Sequence, residues 1–148
     1  MKIKVFWIGK TKESAIQALT DEYLKRIRRF ADVDGVSLKD EASLIKAANA
    51  GKGNRSFLIL LDSRGKQMSS EELARYIGDH QDRNPLPIAF AIGPADGFND
   101  SARQKADLLL SFGRMTLAHE LARVVLLEQL YRAFSILKGH PYHMGHRR

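Results

Sequence analysis

The sequence predicts an α/β domain built on a mostly parallel sheet with helices on its faces. Three observations lead there. Short apolar runs alternate with amphipathic stretches of helical period along the whole chain, the pattern of strand–helix–strand units around a parallel sheet. The 148 residues suit one hydrophobic core. No repeat, low-complexity tract or long linker divides them, so residues 1–148 read as a single domain, with 139–148 as its C-terminal tail.

Each element has a local reason. Ile3–Ile8 is an apolar strand ended by Gly9, and Thr11 is placed to cap a helix with Ala15, Ile16, Leu19, Tyr23, Leu24 and Ile27 at helical spacing. Val33–Leu38 is a weaker strand, and Glu41–Ala50 a helix stopped by Gly51. Ser56–Leu61 is strongly apolar and reads as strand. Ser69, with Glu72 three residues on, has the form of a capping box for a helix to about Gln81. Pro87–Ile92 is a buried strand running into Gly93-Pro94-Ala95-Asp96-Gly97. Asp100 opens a helix expected to reach Leu110, with a short strand at Ser111–Thr116. Leu117–Lys138 is the final helix, stopped by Gly139.

Composition narrows the function classes. There is no cysteine, hence no disulfide framework, thiol nucleophile or thiolate metal site. The basic, apolar N-terminus is too short in its apolar run for a signal peptide, because Lys10 and Lys12 follow at once. No run of about 18 apolar residues is present to span a membrane, and a cytoplasmic location is expected. A formal net charge of +7 and a pI near 9.8 fit a polyanionic partner, since Lys and Arg gain affinity by displacing counterions from phosphates. They fit a merely soluble basic protein equally well.

In open parallel sheets ligands settle beyond the carboxyl ends of the strands, which directs attention to Asp62–Lys66, Gly93–Gly97 and the turn near Phe112–Leu117. The Gly93–Gly97 loop is neither a P-loop nor a dinucleotide fingerprint, though its two glycines allow close backbone approach. The final helix is apolar around much of its circumference and needs cover on more than one side. A central core helix and a helix shared with a second copy both satisfy that. Glu128 and Arg132 are spaced for an i,i+4 ion pair, and an Arg so placed near the chain end also suits an RNA phosphate. The tail, Lys138 to Arg148, combines His140, Pro141, Tyr142, His143 and His146 with basic residues. A frayed terminus is one reading; a ring and donors for an unstacked RNA base is the other. The three histidines lack a carboxylate or helix to align them on a metal, and no metal is expected.

Leu60-Leu61-Asp62, Phe90–Gly97, Met115-Thr116-Leu117-Ala118-His119, Arg123–Phe134 and His140-Pro141-Tyr142-His143 stand in this order. Together they make the chain resemble, over essentially its whole length, the ribosomal RNA large-subunit methyltransferase H family of the SPOUT class. Tyr131-Arg132-Ala133-Phe134 followed by His140–His143 is the most specific part. The resemblance implies a single-domain SPOUT fold with a C-terminal trefoil knot, an exception to unknotted chains, and a homodimer. It implies transfer of a methyl group from S-adenosylmethionine to N3 of a pseudouridine (position 1915 in the family's usual 23S rRNA numbering), in assembled ribosomes, with S-adenosylhomocysteine as product. By position it assigns cofactor contacts to Leu61, Gly93, Phe112, Gly113, Arg114, Met115, Thr116 and Leu117. Many members carry a second glycine where this chain has Pro94, and without an N–H that residue makes no donor contact here.

Methylating an imide nitrogen requires loss of its proton, so a base or charge-stabilising donor belongs beside the target. Arg132, Tyr142 and His143 are the expected catalytic group: His143, or else His140, assisting proton loss, Tyr142 stacking on or orienting the base, and Arg132 stabilising the imide anion or gripping a phosphate. Arg123, His140, Arg26 and Arg29 are expected to contact RNA, whereas His119 is assigned a structural place. The alternatives are a catalytically inactive RNA-binding module of the same fold and an unrelated nucleotide-binding α/β enzyme, the latter opposed by the missing phosphate-loop and dinucleotide motifs.

Overall fold

A computed structural model describes residues 1–49, 55–94 and 96–143. The chain runs β1 (Lys2–Ile8), α1 (Ser14–Ile27), β2 (Asp32–Leu38), α2 (Glu41–Ala48), β3 (Phe57–Gln67), α3 (Ser70–Arg83), β4 (Ile88–Ile92), α4 (Asp100–Lys105), β5 (Leu108–Ser111) and α5 (His119–Leu137). All five strands are parallel, in the order β2-β1-β4-β3-β5. Central β4 is buried at every position, as a strand covered on both faces must be. Its register sets Phe90 opposite Val5 on one side and Ile59 on the other.

The two faces of the sheet build two cores. Ile3, Val5, Ile59, Ile88 and Phe90 meet Leu24 and Ile27 of α1, Leu73 and Ile77 of α3, and Leu126, Leu127, Leu130 and Phe134 of α5. Phe6, Leu58, Leu60, Ala89 and Ala91 meet Leu44 and Ala48 of α2, Ala102 of α4, and Phe98. The strand period of two sends alternate residues to opposite layers, and the result is a three-layer sandwich.

Local signals are realised where their partners are local. Ser69 Oγ accepts from the Glu72 N–H at 3.0 Å, and the Glu72 carboxylate accepts from the Ser69 N–H at 2.8 Å, the reciprocal box expected. Asp40 and Asn99 cap α2 and α4 with the single side-chain bond, accepting from the Ser43 and Ala102 N–H groups. Three expectations are corrected. The helix from Asp100 ends at Lys105 rather than Leu110, and the strand that follows is Leu108–Ser111 rather than Ser111–Thr116. Asp107 is the cause: its N–H donates to the Leu58 carbonyl, its carboxylate accepts from the Leu58 N–H, both at 2.8 Å, and Arg55 pairs with it at 2.9 Å. These bonds draw the chain into the sheet edge early. Thr11 does not cap α1; instead the Glu120 carboxylate of α5 accepts from the Lys12 and Glu13 N–H groups at 3.0 and 3.3 Å. Those donors hold the Glu120 carboxyl below its ordinary value, Lys12 foremost and against the cost of burial. Finally, β3 does not stop at Leu61 but continues to Gln67. Leu61 and Lys66 both register with Leu110, and the residues between them bulge outward.

Candidate active site

The bulge of β3 and the carboxyl ends of β4 and β5 converge on a cleft of about 320 Å³, within the range of small-ligand pockets. Of the residues assigned to a cofactor by position, Leu61, Gly93, Phe112, Gly113, Met115, Thr116 and Leu117 line it. Arg114 is exposed and is not among the lining residues. A side chain on Gly93 would meet the Phe98 ring at 3.0 Å, so glycine here lets Phe98 close the end of β4. Gly97, at φ +86°, donates its N–H to the Pro94 carbonyl at 2.8 Å. Pro94 thus contributes an acceptor to the turn. Gly113 has φ +125°, a conformation that favours glycine, and its N–H is tied to Ser111 Oγ at 3.0 Å.

The cleft carries charge as well: Asp62 and Arg64 lie in the stretch to which the strand-end rule pointed, whereas Arg103 was not expected there. Asp62, with a side chain only 7% exposed, lies 3.7 Å from Arg103 and 3.6 Å from Arg64, and all three line the cleft with His119. Arg103 also contacts the Phe98 carbonyl and Asp100. The signal for Asp62 was its place directly after the apolar run Ser56–Leu61. Arg103 could not have been found without knowing how α4 docks.

The tail does not fray before its described end at His143. Lys138 caps α5, and Gly139 at φ +68° donates to the Ile136 carbonyl while His140 donates to the Ser135 carbonyl at 2.8 Å. This pair of bonds is a Schellman motif, and it turns the chain back along the helix. Tyr142 then packs edge-on to Tyr131 with centroids 4.6 Å apart. Its hydroxyl donates to Glu128 Oε2 at 2.8 Å, the oxygen that also accepts from Arg132 at 2.7 Å. Arg132 lies 5.1 Å from the centre of the Tyr142 ring and its Nη1 is 3.2 Å from His143 Nδ1. His143 Nε2 is 2.8 Å from Glu71 Oε2. Burial first, and then the Glu128 carboxylate, raise the Tyr142 phenol well above its usual range. The three expected catalytic residues therefore form one connected cluster. None of them lines the cleft in the same chain.

The expected RNA contacts divide. Arg29 is exposed, and Arg26 pairs with Glu22 at 2.7 Å beside the rings of Tyr23 and Tyr131. His140 is exposed, its ring 6.2 Å from that of Phe30. Arg123 is corrected: it is 1% exposed and cannot present its charge to RNA. Its guanidinium lies 4.1 Å from the centre of the Trp7 ring and donates to Thr11 Oγ1 at 2.7 Å. Burial lowers its proton affinity, opposed by nearby Glu120. Arg123→Ala is expected to cost about 2–4 kcal/mol in chemical denaturation, through the lost stem and the cavity under Trp7. Arg123→Met, which keeps the stem volume, is expected to cost less than half as much.

Among the described residues no three His, Cys, Asp or Glu side chains are grouped to hold a metal, and no helix is long and apolar enough to cross a membrane. His146 and the rest of 144–148 lie outside the described residues, as do Ala50 and Gly51, where the second helix was expected to end.

Comparison with known proteins agrees with this architecture. The family model described as "Predicted SPOUT methyltransferase" matches residues 1–143. A ribosomal RNA large subunit methyltransferase H from Koribacter versatilis is 53% identical over 99% of this chain and 100% of its own length. The protein of that name from Geotalea daltonii is 43% identical over 97% and 99%. Among solved structures, a probable methyltransferase from Bordetella pertussis superposes with a TM-score of 0.60 at 12% identity, over 89% of this chain and 93% of that one. A probable methylase family protein from Haemophilus influenzae gives 0.58 at 16% identity, over 95% and 69%. Those two likenesses speak to the fold. With the family model and the close relatives covering nearly the full length, the chain belongs to the SPOUT methyltransferases, in the ribosomal RNA large subunit methyltransferase H family.

Proposed function

We propose that this protein transfers a methyl group from S-adenosylmethionine to N3 of a pseudouridine in large-subunit ribosomal RNA, acting in the cytoplasm on assembled ribosomes. The observation that carries this reading is the pairing of two features. One is a cleft of ligand size at the β3 bulge and the carboxyl ends of β4 and β5, rimmed by Gly93 and Gly113. The other is a cationic, aromatic cluster of Arg132, Tyr142 and His143.

The cleft suits the cofactor. Leu61, Phe112, Met115 and Leu117 offer apolar cover for an adenine ring, and the backbone around Gly113–Leu117 offers donors and acceptors at fixed positions. Asp62, Arg64 and Arg103 supply charge for the amino-acid end. The bound cofactor supplies an activated methyl on a sulfonium, for in-line displacement. The protein's part is to hold the acceptor nitrogen in line, which is worth ~7–11 kcal/mol of barrier lowering, and to take its proton. In our reading His143 takes the proton, Tyr142 orients the base, and Arg132 faces the imide anion. Arg26, Arg29 and His140 add contacts to the RNA.

Separation of cleft and cluster within one chain favours a homodimer in which each tail serves the other copy's cleft. Met115 is 86% exposed, and Leu117 and Leu121 are exposed beside it, an apolar patch that a second copy would cover. The trefoil knot belongs to the same proposal.

Mass spectrometry of large-subunit rRNA from cells with and without the gene tests the reading. A methylated pseudouridine that disappears and returns on complementation is the expected result; an unchanged modification profile overturns it. Calorimetry with S-adenosylmethionine separates enzyme from inactive RNA-binding module, since only the enzyme requires binding below millimolar cofactor.

A further inference from the structure

We propose that Glu71, in the first turn of α3, is a positioning residue that fixes the tautomer of His143 and supports its positive charge when it accepts the substrate proton. The inference rests on the reading of His143 as base given above. It follows from the order of donors and acceptors along one chain of contacts. Arg132 has only hydrogens to offer, so at 3.2 Å its Nη1 must donate to His143 Nδ1. Nδ1 therefore holds a lone pair. The ring proton then sits on Nε2, which donates to Glu71 Oε2 at 2.8 Å. Beyond Arg132 the alternation continues: its Nη2 donates to Glu128 Oε2 at 2.7 Å, and the Tyr142 hydroxyl donates to the same oxygen at 2.8 Å.

This arrangement leaves Nδ1 as the basic nitrogen, with a carboxylate behind the other face of the ring. When the imide N–H breaks, the electron pair stays on the imide nitrogen and the proton forms a new N–H bond at Nδ1. The imidazolium so made keeps its Nε2–H on the Glu71 carboxylate, the orienting role of an acid behind a catalytic histidine, here taken by a side chain that is half exposed. Arg132 can no longer donate to Nδ1 and is released toward the anion that remains. Glu71 from α3 and Arg132 from α5 contact the His143 ring; beyond them Glu128 bonds Arg132 and Tyr142, and His140 accepts from the Tyr142 N–H. Tyr23 and Arg26 of α1 stand behind Tyr131 on the same side. Glu71 is the acid in direct contact with the ring.

Glu71 is well placed to hold still. The capping box of Ser69 and Glu72 fixes the turn it sits on, and Ser70 Oγ fastens that turn to Gln129 of α5 at 2.5 Å. Its own N–H and then His143 keep its carboxyl below the ordinary range. An acid in the first turn also favours its helix, and the test must separate that role from this one.

The experiment compares wild type, Glu71→Gln, Glu71→Ala and His143→Ala in methylation of ribosomal substrate across pH, with long-range nitrogen-15 spectra of the His143 ring. Glu71→Gln keeps an acceptor and loses the charge. It is expected to lower kcat about tenfold, to move the acidic limb of the pH–rate profile to lower pH, and to leave the KM for S-adenosylmethionine unchanged. Glu71→Ala is expected to lower kcat about a hundredfold and to mix the ring tautomers, which the wild type holds as Nε2–H. Unshifted profiles and an unchanged tautomer in both Glu71 variants, with His143→Ala inactive, overturn the role of Glu71 alone. Full turnover by His143→Ala overturns the base assignment beneath it and the proposal with it.

Discussion

A Tyr142→Ala, His143→Ala double variant is expected to lose methylation by roughly 10²–10⁴-fold, the contribution of a positioned acid or base, while S-adenosylmethionine binds as before. The prediction turns on where the two residues lie. Neither lines the cleft between β3, β4 and β5, so their removal leaves the proposed cofactor contacts in place. Both are tied instead to Glu128, Arg132 and Glu71, and their loss dismantles the group that is to meet the imide. Stability falls by about 1–2 kcal/mol, since Tyr142 packs on the core at Tyr131 while both residues lie beyond the Schellman turn that ends α5. Equal losses of cofactor affinity and turnover would show that the tail builds the cleft, and unchanged turnover would discard the catalytic assignment. A mixed dimer of this variant with a cofactor-binding mutant carries the test further. If tails act across the dimer, one of its two sites combines an intact cleft with an intact tail, and activity returns in part.

What could be read from the sequence follows the range of the interactions responsible. Ser69 with Glu72, Glu128 with Arg132, and Gly139 after a helix are each settled within five residues, and the structure contains all three as expected. The strand that follows α4 lies elsewhere than the sequence suggests because Asp107 answers to Leu58 of a distant strand and to Arg55 just before it, not to its neighbours. Thr11 failed as a cap for the same reason: Glu120, more than a hundred residues away, takes the amides and Arg123 takes the hydroxyl. Arg123 shows the limit most clearly. Its helical position beside apolar residues is shared by a surface arginine and by a buried one, and only the docking of α5 against α1 and β1 separates the cases. The site was legible in outline because its glycines and its His-Pro-Tyr-His run are local. The Glu71–His143 contact was not, since it needs the tail to fold back 72 residues away in sequence.

Among the described glycines, Gly65→Ala is expected to be the most damaging addition of a methyl group. Gly65 lies in the bulge of β3, where the strand leaves its register with β5 at Leu61 and regains it at Lys66. A Cβ there would stand 2.5 Å from the carbonyl carbon of Leu109 and 2.7 Å from the Leu110 nitrogen. These are backbone atoms of a neighbouring strand, and no rotamer change moves them aside. Relief requires β5 to part from β3, at a cost of about 2–4 kcal/mol on the scale of overpacked interiors and broken local structure. The bulge also carries Asp62, Ser63 and Arg64 into the cleft, so S-adenosylmethionine affinity is expected to fall at least tenfold (~1.4 kcal/mol) even where the protein remains folded. Gly9→Ala is the control. Gly9 has φ +89° but nothing within 4 Å of its added carbon, so its cost is conformational alone, about 1–2 kcal/mol, and cofactor binding should not change. Denaturant melts and calorimetry on the two variants separate crowding from backbone strain. Equal destabilisation of both, with equal cofactor affinity, would show that the β3–β5 contact at Gly65 yields freely and that the bulge does not shape the cleft.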